Sequence, residues 1–135
     1  DIFTSFKLTP NNKGALNLVF YFLKSGRSII IGNGNNKRIT LLRGEPYSDV
    51  AIEGKPFVLE PHKTYSIFIA RQKNIYQVYI LDAYNETKSL ESNLVLEFED
   101  NSFIATENES IGLAIWKGSV GFEIDNLIIS VFNQY

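Results

Sequence analysis

The sequence predicts an all-β fold of sandwich or barrel type, and three observations carry that prediction. Isoleucine, phenylalanine, valine and tyrosine supply 16, 10, 7 and 7 of the 135 residues against 6 alanines, a bias toward side chains that fit a pleated, half-buried surface. Short apolar runs recur with turn residues between them, which is the spacing of a sandwich or barrel rather than of strands alternating with helices. A convincing helix start is missing: Thr106-Glu107-Asn108-Glu109 fits a capping box, but an alternating strand-like run follows it instead of a helical apolar stripe.

Taken in order, a first strand is expected at Phe3–Leu8 and stops at the turn Pro10-Asn11-Asn12-Lys13-Gly14. Ala15–Leu23 follows and ends at Lys24-Ser25-Gly26-Arg27; Ser28–Gly32 ends in Gly32-Asn33-Gly34-Asn35-Asn36. Glycine and asparagine supply the positive φ such turns need. Arg38–Arg43 runs into a loop carrying Gly44 and Pro46, and Phe57–Leu59 precedes a proline-flanked turn at Glu60-Pro61-His62-Lys63. The clearest period-two alternation comes next. In Tyr65–Arg71, Tyr65, Ile67 and Ile69 oppose Ser66, Phe68 and Ala70; in Ile75–Asp82, Tyr76, Val78 and Ile80 oppose Gln77, Tyr79 and Leu81. Apolar residues on both faces make these central strands. Tyr84 to Ser92 is polar and reads as a loop. Leu94–Glu97, Ile111–Trp116, Val120–Phe122 and Asn126–Phe132 complete the set, with Lys117-Gly118-Ser119 as a hairpin turn.

The length fits one domain over residues 1–135, large enough to bury a core without staples. With no cysteine and one histidine, disulfide scaffolds, zinc ribbons, thiol nucleophiles and Cys/His metal clusters are excluded. The 13 basic and 15 acidic residues give a net charge of −2, which argues against nucleic acid and anionic membranes as partners. No apolar run reaches the ~20 residues of a spanning helix, so no membrane insertion is expected. The chain contains no methionine, as expected of a processed protein or of a module linked covalently to other domains.

Candidate site residues fall in three places. In Ile111-Gly112-Leu113-Ala114-Ile115-Trp116, Gly112 and Ala114 open one strand face and Trp116, the only tryptophan, follows. That is the platform a pyranose uses, its C–H bonds stacking on an aromatic ring while its hydroxyls find polar groups; the plainer role for Trp116 is to close the end of the sandwich. Arg38 and Arg43 bracket Ile39–Leu42, and Glu45 and Tyr47 follow, offering the donors, acceptors and aromatic face that fix a hydroxyl-rich ligand. Tyr79 on the central hairpin is a further candidate contact. Glu97-Phe98-Glu99-Asp100 is the only tight acidic cluster, and a glycosidase would need two carboxylates about 5–10 Å apart; its polar surroundings fit a solvated edge better. Gly32–Asn36 lacks the strand-to-helix context of a dinucleotide fingerprint. Asn85-Glu86-Thr87 and Asn108-Glu109-Ser110 are glycosylation sequons, relevant to a secreted eukaryotic protein.

The closing run, Ile111-Gly112-Leu113, Trp116, Val120-Gly121-Phe122, Asp125-Asn126-Leu127 and a last apolar strand, resembles concanavalin A-like β-sandwich domains, especially non-catalytic carbohydrate-binding modules. Ala15–Phe22 resembles their early strand, and Lys63–Ile67 with Ile75–Ile80 their central hairpin. The resemblance implies a two-sheet antiparallel β-sandwich (jelly roll), no enzymatic activity, an oligo- or polysaccharide ligand lying across the concave sheet or along its edge loops, and an extracellular or cell-surface setting. It also implies, in many members, a structural calcium held by carbonyls and one aspartate near the last strand, a position that Asp125 matches. A lone carboxylate provides few of calcium's oxygens, and an aspartate accepting backbone N–H bonds in a turn fits Asp125 equally well. Galectins share this size and fold, but their His-x-Asn-Pro-Arg signature is missing, since the sole histidine is His62. Two other functions suit the same fold: a protein-interaction or adhesion module of the laminin-G kind, and a catalytic sandwich with a carboxylate pair.

Overall fold

The structure, a computed structural model, describes residues 2–12, 17–22, 27–32, 38–43, 49–82, 91–101, 111–115, 119 and 121–131. Its strands are β1 (Ile2–Pro10), β2 (Asn17–Phe22), β3 (Arg27–Gly32), β4 (Arg38–Arg43), β5 (Asp49–Pro56), β6 (Tyr65–Gln72), β7 (Ile75–Asp82), β8 (Leu94–Glu99), β9 (Ile111–Ile115) and β10 (Phe122–Val131), with one 3-10 turn at Glu91–Asn93. They form two antiparallel five-stranded sheets, a front sheet ordered β10-β1-β6-β7-β8 and a back sheet ordered β5-β4-β3-β2-β9. The fold is the expected all-β sandwich.

The alternation read in the central hairpin sets the layers. Ile67, Ile69, Val78 and Ile80 are buried between the sheets beside Ile2, Phe6 and Leu8 of β1, and Leu18, Phe20, Phe22, Ile29 and Ile31 meet them from the back sheet. Aromatic pairs join the layers: Phe6 stacks on Phe20 with centroids 5.2 Å apart, and Phe22 meets Tyr76 edge-on at 5.2 Å. Arg71 points inward as well and holds its guanidinium over the Phe22 ring, 5.6 Å from the centroid, an arrangement that offsets part of the cost of burying the charge. At one end of the sandwich Arg27 of β3 donates through Nε to Asp100 Oδ2, just beyond β8, at 2.5 Å. This ion pair ties back sheet to front sheet.

Two expectations are corrected. The segment Phe57–Leu59 is not a strand, although Phe57 still packs on the core, edge-on to Tyr65 at 5.7 Å. The strand is instead Asp49–Pro56, an edge strand whose Gly54 and terminal Pro56 disguise it, since proline is tolerated where no inner neighbour needs its N–H. Second, Phe122 and Asn126–Val131, expected in two strands, belong to one, β10, while Val120 and Phe132 lie outside the described residues. Lys7 pairs with Asp125 and Ser5 with Ile128, so β10 carries one residue more than β1 across this interval. Asn126 has φ 56° there, a bulge built on a left-handed residue, and Asp125 Oδ1 accepts the Asn126 N–H at 2.8 Å.

Candidate functional site

The outward residues of the front sheet alternate large and small across neighbouring strands. Phe3 on β1 pairs with Ala70 on β6, and Ser5 with Phe68; Phe68 in turn faces Tyr79 on β7, and Ala70 faces Gln77. On the other side Phe3 pairs with Ser130 of β10 and Ser5 with Ile128. Directly opposed side chains stand close enough to touch, so the small residues beside Phe3 and Phe68 leave a gap. The result is a depression of about 290 Å³ in the outer face. Phe3, Phe68, Tyr79 and Ile128 form its walls and Ser5, Ala70 and Ser130 its floor. Thr4 and Ile69, whose side chains are buried on the core side, reach it only through the backbone. It crosses four strands, roughly 14 Å at the usual strand spacing.

Polar groups gather at its β7–β8 end. Gln72 and Gln77 line it, and Gln77 Nε2 donates to Glu97 Oε2 on β8 at 2.7 Å. Among the described residues no lining side chain is charged. The cations of this face stand outside the lining: Lys7 lies opposite Asp125, and Lys73 sits in the β6–β7 turn. Aromatic faces beside amides and hydroxyls suit a ligand with apolar C–H faces and a hydroxyl rim.

The pKa shifts resolved among the described residues lie at the other end of the β6–β7 hairpin. A hydrogen bond and the charge of Asp82, whose Oδ2 is 3.2 Å from Lys63 Nζ, hold the Lys63 ammonium above its usual range. Burial pushes the Tyr65 phenol up, while its oxygen accepts the Glu60 N–H at 2.8 Å.

Of the residues singled out in the sequence, the structure places Tyr79 in the depression. Arg38 opens β4 and Arg43 ends it, in the back sheet, so these arginines are not on the sheet that carries Tyr79. Glu45, Tyr47 and Trp116 lie outside the described residues, as do both sequons. Asp125 is exposed on β10 and, by one oxygen, holds the bulge. Among the described residues no three His, Cys, Asp or Glu side chains gather as a metal-binding group. Glu97 and Glu99 face solvent as an edge pair, whereas Asp100 is buried and committed to Arg27. His62 is exposed, with φ 63° in a turn whose N–H donates to Pro10 O at 2.7 Å. The sequence reading did not single out Phe3, Phe68 and Gln77, which line the depression; for Phe68 the apolar outward face of the central hairpin was a signal.

No protein-family model matches the sequence, and no curated protein does. In fold the chain is similar to a solved structure of the carbohydrate-binding module CBM66 from Bacillus subtilis. The likeness covers 97% of this chain and 75% of that one at a TM-score of 0.63, with 15% sequence identity.

Proposed function

We propose that this chain is a non-catalytic glycan-binding sandwich that holds an oligo- or polysaccharide across the outer face of its front sheet. The aromatic-walled depression around Tyr79 carries the reading. Phe3, Phe68 and Tyr79 offer ring faces to sugar C–H groups, and Gln72 and Gln77 offer amides to hydroxyls. Two further observations support it: a structure of like fold is a carbohydrate-binding module, and the closing sequence run resembles concanavalin A-like modules. The proposal extends to an extracellular or cell-surface protein of which this is one domain. It also includes a structural calcium to which Asp125 supplies a carboxylate oxygen and backbone carbonyls the rest.

A laminin-G-like protein-interaction module is the second reading, and one observation favours it. β5 and β8 meet at one margin of the sandwich, which leaves edge strands β9 and β10 at the other. There Leu113, Ile115, Leu127, Ile128 and Ile129 are exposed, an apolar margin of the sort that protein partners cover. An oligosaccharide array probed with the 135-residue chain separates the two. Retention of a structurally related set of glycans is expected; retention of none, by a chain shown to be folded, overturns the glycan reading.

A further inference from the structure

We propose that Gln77 and Glu97 form a paired acceptor that reads the hydroxyls of an uncharged glycan, and that the Glu97 carboxylate turns away glycans bearing carboxylate or sulfate. The inference rests on the glycan reading above and names the ligand class of that same depression.

Three features of the outer face lead to it. Among the described residues the lining contains no cation to pair with an anionic sugar. The charge most closely coupled to it is negative, because Glu97 is joined by a hydrogen bond to Gln77, a lining residue. The remaining acids on strands of this sheet are Asp82, which ends β7 and pairs with Lys63, and the exposed Glu99 on β8 and Glu123 and Asp125 on β10, the last opposite Lys7. An anionic ligand would therefore meet the Glu97 carboxylate at the β8 side of the depression, with repulsion that is modest at an exposed charge and screened by salt.

The pair is also arranged as a reader of hydroxyls. Gln77 spends one Nε2 hydrogen on Glu97 Oε2, which fixes both side chains against each other across β7 and β8. Its Oε1 and Glu97 Oε1 then stand as neighbouring acceptors at one end of the aromatic-walled depression, where two hydroxyls of a ring stacked on Tyr79 can donate. A carboxylate accepts a hydroxyl more strongly than an amide oxygen does, so charge and geometry act together. Removing the charge while keeping the shape isolates this effect.

The test is titration calorimetry of the wild-type chain, Glu97→Gln and Gln77→Ala against neutral gluco-, xylo-, manno- and galacto-oligosaccharides, and against oligogalacturonate and a sulfated galactan. All are measured at low and at physiological salt. For the wild type, binding of at least one neutral series and none of the anionic probes is expected. Glu97→Gln should weaken the neutral ligand about five- to tenfold, the difference between a charged and a neutral hydrogen bond, and should make anionic binding measurable. Gln77→Ala should weaken the neutral ligand at least as much. Both side chains lie outside the core, so unchanged melting curves confirm folding. Wild-type binding of anionic probes as tightly as neutral ones, or a Glu97→Gln variant indistinguishable from wild type, overturns the assignment of Glu97 and leaves the glycan reading intact. Absence of binding to every probe by folded wild type overturns both.

Discussion

Replacing Asp100 by alanine should cost this sandwich a large fraction of its stability. The Asp100 side chain is 1% exposed and that of Arg27 12%, so water does not take over when the carboxylate is removed. Alanine at 100 keeps the backbone bonds with Asn74, where the Asp100 N–H donates to Asn74 O at 2.8 Å, but takes the Asp100 carboxylate away from a largely buried guanidinium. Breaking a buried ion pair from one side costs about 3–5 kcal/mol, against roughly 5–15 kcal/mol of stability for a whole domain. For a chain of this length that corresponds to a drop in melting temperature on the order of 10–20 °C. Calorimetric or circular-dichroism melting of Asp100→Ala measures it. The double variant Arg27→Met with Asp100→Leu should regain most of the loss, since apolar replacement of a whole buried pair is often neutral or stabilising. A fall of under about 1 kcal/mol in the single variant, or a double variant no better than it, would refute the cross-sheet tie.

Other perturbations follow from particular residues. Lys73 has φ 56° in the two-residue turn between Gln72 and Ile75, a conformation glycine adopts without strain, so Lys73→Gly should stabilise by about 0.5–1 kcal/mol in urea unfolding. Lys63 and Tyr65 both have raised pKa values in the folded state. The folded form therefore binds more protons than the unfolded chain once pH exceeds about 10, and melting temperature should fall from pH 9 to 11, less steeply in Lys63→Met. Calcium bound at Asp125 should raise the melting temperature by mass action and EDTA should reverse it, with Asp125→Ala insensitive to both.

The sandwich was legible because its central hairpin states the layers in its own alternation: Ile67, Ile69, Val78 and Ile80 inward, Phe68 and Tyr79 outward. What escaped was local irregularity. β5 carries a glycine and a proline that an edge tolerates and an inner strand does not, and the Asn126 bulge shifts the β10 alternation, so one strand read as two. The depression escaped for a different reason. Its walls come from Phe3, Phe68, Tyr79 and Ile128, on four separate strands, and only the pairing register sets small residues beside Phe3 and Phe68. No linear motif encodes such a surface. Tyr79 was reached as an aromatic on a central hairpin, whereas the arginines of β4, grouped by closeness in sequence, belong to the other sheet.

The central claim is that glycan is held on the outer face of the front sheet, and affinity of the Tyr79→Ala chain for the oligosaccharide retained best on the array tests it most directly. Tyr79 is half-buried on the outer face rather than part of the core, so melting should change by only a few degrees. Loss of its ring face should weaken binding about tenfold, near the upper end of what one aromatic contact contributes. Wild-type affinity in a folded Tyr79→Ala chain would contradict the account and place the ligand elsewhere.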